Sequence, residues 1–150
     1  MAVSVKNRRL ARTVALQALY ELDCTHHSVA DVMSARLEEQ PLADDLRQFA
    51  YKLINGVLAY KDRLDAVIQV HAPEWPLNQM AVVDRNVLRI AIYEFAIARD
   101  TPVKVAINEA IELAKDFGSD SASRFINGVL GTLAAHEEEL RAALKEDIKL

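Results

Sequence analysis

Apolar residues recur three and four positions apart along most of the chain, the spacing that lines one side of an α-helix. Leu46, Phe49, Ala50, Leu53, Ile54, Val57 and Leu58 follow it, and so do Ala122, Phe125, Ile126, Val129, Leu130 and Leu133. The period-two alternation of a half-buried strand is absent. The pattern predicts helices over 7–24, 29–39, 43–60, 61–71, 78–98, 103–117 and 121–145. Breakers fall between them. Pro41 opens the third segment, Pro73 and Pro76 separate the fourth from the fifth, Pro102 precedes the sixth and Gly118 follows it as a C-cap. The expected fold is therefore all-α, with about seven helices.

Two internal echoes organise these helices. INGVL occurs at Ile54–Leu58 and again at Ile126–Leu130, 72 residues later. RTVALQALYEL from Arg12 is echoed by RNVLRIAIYEF from Arg85, at an offset of 73, with Arg, Val, Ala, Tyr and Glu shared. Two echoes at nearly one offset predict two packed, pseudo-repeated small helical bundles. They would form a single domain over 1–150, with subdomains of approximately 1–72 and 77–150 joined near Pro73–Pro76. Asn-Gly is ordinarily a hairpin signal, but both copies sit inside an apolar helical stripe. Gly56 and Gly128 are expected instead to admit the close approach of a neighbouring helix. Tyr20 and Tyr93, equivalent in the second echo, are expected to be structural, each a buried ring with a bonded hydroxyl; contact with a partner is the other reading of Tyr20.

Composition narrows the class. Hydrophobic residues make up 51% of 150, enough to exclude a disordered chain. No apolar run reaches the roughly 20 residues of a membrane span, and MAVSVKNRRL has no apolar segment of a secretory signal. Cys24 is the single cysteine, consistent with a reduced, cytoplasmic setting. The net charge of −4 hides an asymmetry. Lys6, Arg8, Arg9 and Arg12 precede the first acid, Glu21, whereas the tail carries Glu137, Glu138, Glu139, Glu146 and Asp147.

Arg8 and Arg12, at i and i+4, share a helix side with Arg9. They occupy the first turns, where the helix dipole favours acids over cations. RNA phosphate is one reading of that cluster, and a solvated N-terminus is the other. Ser119, Asp120, Ser121, Ser123, Arg124 and Asn127 open the last helix, as a cap or as a place for a phosphate or base edge. Asp84-Arg85 is either an exposed charge pair or part of a protein interface. Glu109 and Glu112, with Lys115, read as a solvated ion-pair face. His26-His27 lacks the ligand spacing of a zinc site, and in HEEEL Leu140 stands where a zincin has its second histidine. Phosphate-binding glycine loops and nucleophile elbows are absent. No catalytic residue, metal or cofactor is expected, and the chain does not read as an enzyme.

TPVKVAINEAIELAKDFGSDSASRFINGVLGTL closely resembles the C-terminal half of NusB, the bacterial transcription antitermination factor family. RRLARTVALQALYELD is similar to the arginine-rich opening helix of that family, and VDRNVLRIAIYEF to its fifth helix. The resemblance spans nearly the whole chain and implies an all-helical fold of two packed bundles. It also implies a role. The protein would pair with the ribosomal protein NusE, bind boxA-type single-stranded RNA of nascent ribosomal transcripts, and help assemble an antitermination complex on RNA polymerase. On this chain the resemblance points to Arg8, Arg9, Arg12, Ser121 and Arg124 for RNA and to Tyr20 and Asp84 for the partner. The family commonly carries an acidic side chain where Ser121 stands. A homodimer is possible, because some family members are monomers and others dimers. Two alternatives remain: a NusB-like helical adaptor without direct RNA binding, and a NusB-like RNA-binding domain related to ribosomal RNA cytosine methyltransferases. The second needs a cofactor-binding domain after this one, and the sequence ends at Leu150 without it.

Overall fold

The computed structural model describes the backbone of residues 5–148 and side-chain surroundings for 7–144. Eight α-helices account for most of it, so the fold is all-α as the apolar spacing predicts. They fall into two compact units, Met1–Leu58 and Ala59–Leu150.

The first unit contains α1 (Val5–Cys24), α2 (Val29–Glu39) and most of α3 (Asp44–Ala59). α1 packs on α2. Ala11, Val14, Ala15, Leu16, Ala18 and Leu19 line the buried side of α1; Val32 and Met33 do so on α2; Phe49, Ala50, Leu53, Ile54 and Val57 do so on α3. The ends obey local chemistry. Ser28 is extended and accepts a hydrogen bond from Asp31 N (3.1 Å), satisfying one orphan donor of α2. Asp44 and Asp45 place negative charge on the first turn of α3, the favourable end of its dipole.

The second unit is built around α5 (Val82–Ile92), which packs against α4 (Lys61–His71), α6 (Val103–Phe117) and α7 (Ala122–Ala135). Every residue from Asn86 to Ala96 is buried. Arg89 lies within this core and is satisfied there. Its Nε and Nη2 donate to the two carboxylate oxygens of Asp65 on α4, at 2.7 and 2.9 Å, and its Nη1 donates to Asn86 Oδ1 at 3.2 Å. A bidentate pair of this kind fixes α4 on α5 in register.

The pattern predicts one helix over 78–98, and the structure divides it. A 3₁₀ turn (Leu77–Gln79) precedes α5, and a π-helical stretch (Tyr93–Ala98) continues it, ending at Arg99 with φ 59°. The wider ladder is held from α8 (Glu137–Ile148), where Arg141 Nε and Nη2 both donate to Phe95 O, at 3.1 and 2.9 Å. Likewise the single helix expected over 121–145 breaks at His136 into α7 and α8. Three consecutive acids, Glu137 to Glu139, sit at the start of α8, where a helix dipole favours them.

The second unit also contains the Pro73–Pro76 loop, which the sequence suggests as the joint between subdomains. Gln69 of α4 ties this loop down. Its Nε2 donates to Trp75 O (3.1 Å) and its Oε1 accepts from Leu77 N (3.2 Å).

The two INGVL copies are both α-helical, but the second echo diverges at its end, where Tyr20 to Leu22 are α-helical and Tyr93 to Phe95 are π-helical. Val14 and Val87 are both fully buried, as are Ile54 and Ile126. Gly56 is buried, but Gly128 is exposed, and a Cβ built on it meets nothing within 4 Å. The close-packing expectation therefore fails at Gly128, because the helix face it occupies is open. The close approach is at Gly118 instead. There a Cβ would meet Ala122 Cβ at 2.5 Å and Ala114 O at 2.8 Å. Gly118 ends α6 as expected, but in extended backbone (φ −92°, ψ −178°), so crowding and not a left-handed turn requires glycine. Tyr93 is buried, whereas Tyr20 is 46% exposed, which corrects the expectation of two buried rings.

Candidate nucleic-acid interface

On α1 the helical spacing of Arg8 and Arg12 brings both guanidinium groups to one aromatic ring. Their Cζ atoms lie 4.8 and 5.3 Å from the centroid of Phe49 on α3. Phe49 thus offsets some of the cost of cations in the first turns, which the sequence leaves unexplained. Guanidinium is flat and weakly hydrated, so it stacks on a ring where an ammonium would hold its water. The three arginines are not equivalent. Arg12 is only 2% exposed, while Arg8 and Arg9 are half-buried. Arg12 therefore secures α1 on α3, and Arg8 and Arg9 keep surface.

The start of α7 is polar and accessible. Ser121 and Arg124 are exposed, as is Asn127. Ser121 occupies the N-cap position in helical backbone (φ −93°, ψ −4°), not the extended form of a capping residue, and makes no side-chain cap bond. Among the described residues Arg124 has no ion-pair partner.

Asp84, in the first turn of α5, faces the same place. With Ser121, Arg124, Trp75, Gln79, Met80 and Phe125 it lines a hollow of about 390 Å³. Asp84 is half-buried, and its Oδ1 is shielded from solvent without a hydrogen-bond partner. Desolvation raises its carboxyl above the ordinary 3.8. The structure thus brings together Asp84, expected at a partner surface, with Ser121 and Arg124, expected at RNA. Tyr20 lies in the other unit, on α1.

Trp75 escapes the sequence reading. It belongs to no helical stripe, and Phe125, whose ring it meets, lies 50 positions later in the sequence. Its one signal is position, as the single tryptophan between two prolines.

The remaining candidates behave variously. Glu112 pairs with Lys115 at 3.6 Å on the surface, as expected. Glu109, expected beside it in solvent, is buried. His27 Nδ1 lies 2.8 Å from Glu21 Oε2 in the loop after α1. Among the described residues no group of three or more His, Cys, Asp or Glu is placed to hold a metal ion, and no helix is long and apolar enough to cross a membrane.

Comparison with known proteins extends this picture. The NusB family model matches residues 9–135. The chain is 49% identical over 128 residues to transcription antitermination protein NusB of Dehalococcoides mccartyi (strain CBDB1), covering 85% of this chain and 90% of that protein. It is 44% identical over 132 residues to transcription antitermination protein NusB of Bacillus subtilis (strain 168), covering 88% and 98%. Its fold is similar to that of T. maritima NusB, with a TM-score of 0.79, 31% identity and coverage of 93% and 98%. The same fold occurs in a crystal structure of the antitermination factors NusB and NusE in complex with double-stranded RNA (TM-score 0.76, 22% identity, coverage of 92% and 98%). With α1, α5 and α7 formed from the very segments that carry the sequence resemblance, the chain belongs to the NusB family.

Proposed function

We propose that this chain is a transcription antitermination factor that binds boxA-type RNA of nascent ribosomal transcripts together with the ribosomal protein NusE, in the cytoplasm. The work is recognition; the family is not enzymatic. The observation that carries the RNA part is the start of α7, where an exposed arginine without an ion-pair partner among the described residues and an exposed serine flank a hollow. Arg124 and Ser121 would contact RNA there. In the other unit, Arg8 and Arg9 would supply phosphate affinity, with Arg12 buried behind them as the residue that positions α1. Phosphate contacts set affinity, and base contacts in a single strand set sequence preference. Tyr20, exposed on α1, and Asp84 are the candidate partner contacts. High similarity to NusB proteins over 90% and 98% of their lengths supports this reading over a methyltransferase domain.

Fluorescence anisotropy with a boxA-like single strand and a scrambled control, with and without NusE and at two salt concentrations, tests it. Sequence-selective binding strengthened by NusE is expected. Arg8→Ala with Arg9→Ala should weaken binding and reduce the salt slope by about 0.7 per lost phosphate contact. Unchanged affinity removes the arginine assignment, and absence of selective binding with active NusE favours a helical adaptor without RNA contact. Sedimentation with and without NusE determines whether a homodimer forms and gives way to the partner.

A further inference from the structure

Trp75 is the only tryptophan in the chain and is 55% exposed. It is held in place: Gln69 bonds the carbonyl of Trp75 and the amide of Leu77. Its ring meets Phe125 of α7 in a T-shaped contact, with centroids 5.5 Å apart and planes at 67°. Such a contact cannot cover both faces of an indole. Two hollows, of about 390 and 220 Å³, adjoin this pair, and Trp75, Arg124 and Phe125 line both. An oriented aromatic wall between two hollows, with a cation beside it, has the makings of a stacking site.

Charge decides what would sit there. Arg124 is exposed and has no ion-pair partner among the described residues. The first hollow also presents Asp84, which accepts hydrogen bonds and repels anions. An occupant needs a flat apolar face for Trp75, N–H groups toward Asp84 and negative charge toward Arg124. A nucleotide with an unpaired base meets all three, whereas an apolar peptide segment leaves both charges unmatched. We infer that Trp75 is a stacking platform for one unpaired RNA base, with Arg124 taking the adjoining phosphate and Asp84 facing the amino edge of the base. The strand must be single here, because bases stacked within a duplex have no free face to offer. The inference rests on the RNA-binding reading above and adds to it a base subsite.

A single tryptophan makes the test direct. Titrating the full-length protein with a boxA-like single strand should quench Trp75 emission, with the midpoint found by anisotropy. The same strand carrying abasic sites should bind more weakly and leave emission unchanged. Trp75→Ala, at an exposed loop position and checked for unchanged circular dichroism, should lose roughly 5- to 100-fold in affinity, and Trp75→Phe should keep most of it. The Arg8→Ala, Arg9→Ala variant should bind weakly yet still be quenched at saturation. If RNA binds and depends on Arg8 and Arg9, but emission is unaltered and Trp75→Ala binds like wild type, the platform is refuted and the RNA reading stands. If Trp75→Ala loses NusE and keeps RNA, the hollow is a protein-docking site and the inference is refuted. If wild type binds no RNA at all, both readings fall together.

Discussion

Replacing Gly118 by alanine adds a single methyl group at a crowded point. Gly118 lies where α6 ends and the chain turns toward α7. Its added Cβ would stand 2.5 Å from Ala122 Cβ and 2.8 Å from Ala114 O, separations that real Cβ atoms essentially never show. Neither neighbour is the flexible end of a long side chain, so backbone must move. Overpacking of this kind costs about 1–3 kcal/mol. An opposing contribution comes from the unfolded state, which alanine restricts. Because the backbone here is extended and open to alanine, that contribution is worth about 0.4–1 kcal/mol in the variant's favour. The net expectation is a loss of about 1–2 kcal/mol, or a fall in Tm of about 3–6 °C for a chain of this length. Urea denaturation followed at 222 nm measures it, with an unchanged m-value showing that the same surface is exposed. Gly128→Ala is the control. Its Cβ meets nothing within 4 Å, and it is helical, so it should gain up to about 1 kcal/mol. A Gly118→Ala protein as stable as wild type would refute the steric argument.

Arg89→Met leaves the Asp65 carboxylate without its bidentate partner and should cost about 3 kcal/mol, and adding Asp65→Asn should recover part of that in a double-mutant cycle. At Asp84 the folded protein holds the proton more tightly than the unfolded chain does. Stability from this group is therefore full at low pH and falls as pH rises from about 3.8 through the raised folded value. Asp84→Asn should consequently melt higher than wild type at neutral pH and converge with it in acid, and an equal difference at both pH values would contradict the desolvation argument.

The helical periodicity was readable because it depends only on which side chains prefer water. Each predicted helix exists, and the boundaries set by Pro41, Pro102 and Gly118 are close to those observed. The divisions at Tyr93 and His136 were not readable. The π-helical stretch needs Arg141, 46 positions after Phe95, to satisfy its carbonyl, and no local pattern announces a donor that far away. The arginines of α1 show the same division. Their spacing places Arg8 and Arg12 on one side of a helix, but only tertiary contact supplies the Phe49 ring and decides that Arg12 is enclosed while Arg8 and Arg9 keep surface.

Sequence alone determined the helices and the family, because local solvation preference and a run of shared residues suffice for both. Only the tertiary structure decided which members of the equivalent pairs are enclosed: Gly56 and not Gly128, Tyr93 and not Tyr20. It alone also brought Trp75, Asp84 and Arg124 around one hollow. Burial and convergence depend on which neighbours arrive from elsewhere in the chain, and identical local sequences carry no record of that.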